Sequence, residues 1–209
     1  MKQKEANRNI KLYAWYKITI DPLFWGPVIV SYILNVGKMS LTELYIMEAV
    51  VVFGLVFVEI YSSAWADLLG RKKAMILGSF LSLLAIVIFS FVDSPVLVWV
   101  SNILIMIGFA IISGSDEAFL VDTLKEAGRY DEFTKINGSI SARVSIIRAF
   151  TCIAAGYLYA ISPRLPMFLS IPGVLISLIL AMFIREPRLS KRVSHREHLD
   201  LMKMSVLFV

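Results

Sequence analysis

Residues 44–92 read LYIMEAVVVFGLVFVEIYSSAWADLLGRKKAMILGSFLSLLAIVIFSFV. Two apolar runs, 44–66 and 74–92, flank a short polar turn that holds Asp67, Gly70, Arg71, Lys72 and Lys73. Each run has the roughly 20 residues that a helix needs to cross a bilayer. A helix is the expected form, because it satisfies its own backbone groups where no water is present. Gly70 suits a tight bend, and the three cations after it suit a lipid surface. The stretch therefore predicts a transmembrane helical hairpin with a very short connection.

The same pattern extends in both directions. Further apolar stretches at 18–36, 96–118, 138–160 and 165–184 bring the expected spans to six. Lys38, Asp93-Ser94-Pro95, the Lys125 to Lys135 segment and Ser162-Pro163-Arg164 separate them. Pro22 and Pro27 in the first span and Pro172 in the sixth are expected to kink or unwind a helix. Of the 209 residues, 58% are hydrophobic and 18% charged, against about 45–50% and about 25% in an ordinary soluble domain. That composition excludes a water-soluble enzyme and a disordered chain alike. The reading is an all-α membrane protein with an amino-terminal segment 1–17, a six-span unit 18–184 and a basic connector 185–209. Residues 1–17 are polar and no small-residue cleavage site follows an early apolar core, so no removable leader is expected.

Orientation follows from Lys and Arg. Seventeen of them fall in the amino-terminal segment, the second and fourth connections and the tail, against Lys38 and Arg164 on the other side. The positive-inside rule puts both termini in the cytoplasm of a multi-pass cell-membrane protein. The net charge of +5 is then a consequence of topology, and no nucleic-acid partner is needed to explain it. Cys152 is the only cysteine, and the only histidines, His195 and His198, lie in the tail. Neither an internal disulfide nor a zinc site is expected, and no metal or other cofactor.

Charges inside spans are costly, so they point to a buried pair or a water-filled path. Asp21, Glu48, Glu59, Asp116, Glu117, Arg143 and Arg148 are such charges. Glu117 and Arg143 lie at similar depth on the fourth and fifth spans, so Glu117 or Asp116 is expected to pair with Arg143 or Arg148. Such a pair either fixes helix register or takes part in substrate or proton handling. Ser141, Ser145, Arg148 and Cys152 recur at helical spacing on the fifth span; Asn102, Met106, Phe109, Ser113 and Asp116 or Glu117 do so on the fourth. Two polar stripes on neighbouring helices suggest a lined pathway, while small-residue packing explains the serines equally well.

The turn Ser63-Ala64-Trp65-Ala66-Asp67-Leu68-Leu69-Gly70-Arg71-Lys72-Lys73 resembles the signature G-x-x-x-D-R-x-G-R-K of the major facilitator superfamily, which stands between spans two and three. Asp67, Gly70, Arg71 and Lys72 match; Ser63 and Leu68 depart from it. Glu59-Ile60-Tyr61 before it is similar to the Glu-Ile-Pro of many bacterial members. Ser113-Gly114-Ser115-Asp116-Glu117-Ala118 through Asp122 and Leu124 is similar to S-G-x-x-E-A-x-x-x-D-x-L of a bacterial efflux-like subgroup. The resemblance implies one six-helix half of a twelve-span fold, built as two inverted three-helix repeats. It also implies that Asp67 caps a helix of the opposite half and that Arg71 pairs with Asp122, both as gating contacts. The antiporter signature of the fifth span is absent, since Ile153-Ala154-Ala155-Gly156-Tyr157 keeps one glycine and no proline.

The expected function is secondary transport of small molecules, as proton-coupled export of amphipathic or drug-like compounds. Substrate, protons or another coupling ion, and the bilayer are the expected partners. Candidate proton or substrate residues are Asp21, Glu117, Asp116, Arg143, Arg148 and Asn102. The sequence stops soon after Met204-Ser205-Val206-Leu207-Phe208, which looks like the entry to a seventh span. The chain is therefore read as an amino-terminal half awaiting a carboxy-terminal half. The alternative is a six-span module that transports nothing and self-associates or supports a partner. A membrane enzyme is disfavoured, because no nucleophile–base pair or metal cluster lies in the spans.

Overall fold

The computed structural model describes residues 3–21 and 23–187, and for residues 57–69 the backbone alone. The described residues form eight α-helices and no strand: α1 (Gln3–Ile20), α2 (Ile29–Asn35), α3 (Leu41–Leu69), α4 (Arg71–Ser90), α5 (Pro95–Ser113), α6 (Asp116–Glu126), α7 (Phe133–Ile161) and α8 (Leu165–Phe183). Single 3₁₀ turns at Gly26–Val28 and Tyr130–Glu132 lead into α2 and α7. Among the described residues, four stretches are long and apolar enough to cross a membrane: Arg71–Ser90, Pro95–Glu126, Tyr130–Ile161 and Leu165–Phe183.

Local sequence sets the helix ends. Ser40 and Glu43 form a reciprocal capping box: the Ser40 hydroxyl accepts from the Glu43 backbone N–H at 3.2 Å, and Glu43 accepts from the Ser40 backbone N–H at 2.7 Å. Proline stands in the first turn of both α5 and α8, where its missing donor is harmless. α3 and α4 are separated by Gly70 alone, whose φ of 93° is a conformation that disfavours side chains. This one-residue break turns the predicted hairpin.

Two expected spans are interrupted. The first, 18–36, is not one helix: α1 begins at Gln3 and ends at Ile20, and the proline-containing segment after it leads through a 3₁₀ turn to the short α2. Pro27 stands in that 3₁₀ turn, where it cannot continue a preceding helix, and Pro22 lies outside the described residues. The fourth, 96–118, divides into α5 and α6 at Gly114-Ser115, where the Ser113 and Ser115 hydroxyls donate back to the carbonyls of Ala110 and Ile111. Such back-bonding bends helices. Pro172, by contrast, lies within an unbroken α8.

α4 is the centre of the bundle. It packs most extensively on α5 and α8; α8 in turn packs on α1, and α5 on α3. Its buried residues include a run of small ones, Ala74, Gly78, Ser79, Ser82 and Ala85, beside Met75, Ile86 and Phe89. A Cβ on Gly78 would stand 2.6 Å from Ile112 Cγ1 and 2.8 Å from the Gly108 carbonyl, so the α4 and α5 backbones nearly touch. In lipid, where helices gain nothing from burying apolar surface, close contact of this kind holds them together.

Candidate functional site: charge pairs between helices

α1 brings its last turn into the core. Tyr13, Tyr16 and Ile20 are buried along one face, and Lys17 lies beside them. The Lys17 ammonium donates to Asp116 Oδ2 at 2.6 Å across the α1–α6 contact. Asp116 is 3% exposed, in the first turn of α6, and its other oxygen accepts from the Glu117 backbone N–H at 2.6 Å. Tyr16 hydrogen-bonds to Ser79 on α4 at 3.1 Å. Tyr13 packs its ring at a tilt of 34° against Phe119, one turn beyond Asp116, and its buried hydroxyl makes no hydrogen bond among the described residues. A carboxylate so enclosed depends on its single cation.

A second pair joins α1 to α7. Asp21, just past the end of α1, takes Arg148 through both oxygens, with Nε to Oδ1 at 2.9 Å. The Asp21 side chain is 9% exposed and that of Arg148 52%. A third polar link is neutral on one side: Asn102 of α5 donates to Glu48 of α3 at 2.9 Å. Below Asn102, Phe109 stacks on Trp25.

At the turn before α4, the structure brings Arg71 and Asp122 together, with Nε 3.7 Å from Oδ2. Arg71 also donates to the Gly114 carbonyl at 3.4 Å, at the α5–α6 break. The side chains of Asp67 and Glu59 lie outside the described residues. Glu186, beyond α8, accepts from the Lys72 backbone N–H at 2.8 Å and so caps α4. A Cβ at Gly70 would lie 3.0 Å from its Oε1, so a side chain there would push the carboxylate aside, and the φ alone already favours glycine. Arg185 beside it pairs with Glu5 and exchanges two hydrogen bonds with Asn9, which fixes α1 to the end of α8.

The expected pairing of Asp116 or Glu117 with Arg143 or Arg148 is corrected. Asp116 goes to Lys17, Arg148 goes to Asp21, and Glu117 and Arg143 are exposed. The depth argument assumed one straight fourth helix. The break at Gly114-Ser115 starts a new helix whose first turn meets α1. The two polar stripes are not neighbours either, because α7 packs on α1 and α8 and leaves Ser141, Ser145, Arg148 and Cys152 exposed. Lys17 and Glu186 were not among the expected site residues. The signal for Lys17 was its place between Tyr16 and Ile20 on the buried face of a helix that starts well before it.

Long apolar helices tied together by interhelical ion pairs mark an integral membrane protein. The chain belongs to the Major Facilitator Superfamily, whose profile matches residues 19–208. Members of this family are transporters, not enzymes. The chain is similar to Multidrug resistance protein 2 of Bacillus subtilis (strain 168), being 27% identical over 172 residues, or 81% of this chain and 41% of that protein. It thus spans less than half the length of that relative. No solved structure matches it.

Proposed function

We propose that the chain forms one six-span half of a proton-coupled exporter of amphipathic, drug-like compounds, in the cell membrane with cytoplasmic termini. The buried Lys17–Asp116 pair carries this reading. An Asp116 that alternates between Lys17 and a proton changes the charge of the α1–α6 contact, and so biases a two-state bundle. Its relative's name as a multidrug resistance protein supports the substrate class. Asp21 and Arg148 would stand beside the solute path, with Asn102 on its far wall and Glu117 at its mouth. Gly70, Arg71, Lys72 and Asp122, with Asp67, would form the gate, which holds one conformation through the Arg71–Asp122 contact.

Vesicles carrying the protein test this. Asp116→Asn should abolish accumulation of an amphipathic cation driven by a proton gradient and leave solute exchange at equilibrium intact. Gradient-driven accumulation unchanged in that variant would contradict the role.

The outward face of α7 supports a partner. Ile146, Phe150, Ile153, Tyr157 and Ile161 are between 59% and 76% exposed. That surface suits a second six-span half in an exporter, or a second copy in a module that only self-associates; crosslinking through the exposed Cys152 separates the two.

A further inference from the structure

A groove runs between α1 and α7 from the basic end of the bundle toward its middle, and its two parts differ in chemistry. The outer part is a cavity of about 410 Å³ lined by Lys11, Arg129, Lys135 and Arg143, with Glu132 as its one carboxylate. Arg129 already occupies Glu132 through two bonds of 2.6 Å and reaches Asn7 on α1 at 2.7 Å. Lys11, Lys135 and Arg143 form no ion pair among the described residues. The inner part is a cavity of about 280 Å³ lined by Ala14, Trp15, Ile18, Ile146 and Ile147. Arg143 belongs to both.

We infer that this groove binds one anionic phospholipid, with the headgroup phosphate among Lys11, Lys135 and Arg143 and an acyl chain along Trp15, Ile18 and Ile146. Charge selects the headgroup: Lys11, Lys135 and Arg143, which form no ion pair among the described residues, outweigh a lining whose one carboxylate, Glu132, is already held by Arg129. Helical spacing selects the chain. Lys135, Ser139 and Arg143 follow one another at one-turn intervals on α7, with Ile146 and Ile147 in the turn after them, and Lys11 is followed by Trp15 and Ile18 on α1, so each helix passes from cations to apolar surface in the direction of the bilayer interior. Arg143 at the junction can lay its methylenes on the apolar part while its guanidinium stays with the phosphate. Trp15, 60% exposed, is the apolar wall that a lipid would cover.

Trp15 also reports occupancy. The protein is placed in nanodiscs of phosphatidylcholine with brominated acyl chains on either phosphatidylglycerol or phosphatidylcholine, at equal bromine content. The fluorescence lost on Trp15→Phe isolates its signal. The expected result is that brominated phosphatidylglycerol quenches Trp15 far more than brominated phosphatidylcholine, with a preference that falls about fivefold for each cation removed. Lys135→Gln with Arg143→Gln should remove most of it, and Lys135→Arg with Arg143→Lys should retain it. Equal quenching by the two lipids would overturn the inference, as would a preference that survives both glutamines. Displacement by inorganic phosphate alone would overturn it too, by showing a simple anion site without a chain.

Discussion

α4 and α7 are both long membrane helices, yet half of the apolar window of α4 is buried in the bundle and only 11% of that of α7. α4 owes this to small residues. Gly78 and Ser82 admit the backbone of α5 at Gly108, and hydroxyls that would be unsatisfied in lipid bond within the helix, as Ser82 does to the Gly78 carbonyl at 2.9 Å. α7 instead alternates cations, serines and large apolar residues, buries Ile140, Val144 and Ala155, and is tied to the bundle by polar links at Arg148 and Tyr159. One helix is built to be enclosed, and the other to present a surface. Substitutions on α4 should therefore act on folding, and those on α7 on function.

The largest expected effect is at the closed seam. Gly78→Leu forces a side chain into the space held by Ile112 and the Gly108 carbonyl, and overpacking of this kind costs about 1–3 kcal/mol or more. The variant should yield little folded protein by size-exclusion in detergent; full yield would show that α4 and α5 are less tightly apposed than described.

Removal of Lys17 comes next. Lys17→Met strands Asp116 and should destabilise by up to about 3 kcal/mol in thermal unfolding, whereas Lys17→Met with Asp116→Leu should recover most of that. No recovery would mean that the two do not act as a pair. Arg148→Gln breaks the more exposed pair and should lower stability by about 1 kcal/mol or less. An effect equal to that of Lys17→Met would erase the contrast between the buried pair and the exposed pair that α7 presents.

The smallest effect concerns the start of α3. Hydrogen bonds from the backbone N–H and hydroxyl of Ser40 hold the Glu43 carboxyl below its usual range. Its contribution is present above the unfolded value and lost as pH falls through the lower folded value. Ser40→Ala should therefore flatten stability slightly in the acid range and leave neutral behaviour nearly unchanged, as read by thermal unfolding against pH.

The hairpin of α3 and α4 was readable because two long apolar runs and a single glycine leave no other solution. The extent of α8 was readable for the same reason, and so was the end of α7, whose start at Phe133 precedes the expected 138. The starts of α1 and α6 were not. Polar residues through Lys17 hide a helix whose buried face is tyrosine, not aliphatic, and the Gly114-Ser115 break is too small an interruption of an apolar run to read as a boundary. Both misreadings bear on the same ion pair. The approach of Arg71 to Asp122 came from the family signature, while the cap by Glu186 needed the three-dimensional return of α8.

The most direct test of the coupled-export account is proton movement itself. Proteoliposomes containing the protein and an internal pH dye, with no imposed gradient, receive an amphipathic cation on one side. The account predicts proton flow opposite to the solute, in fixed proportion to it and absent from empty liposomes. Solute entry at the same rate with no proton movement would contradict it.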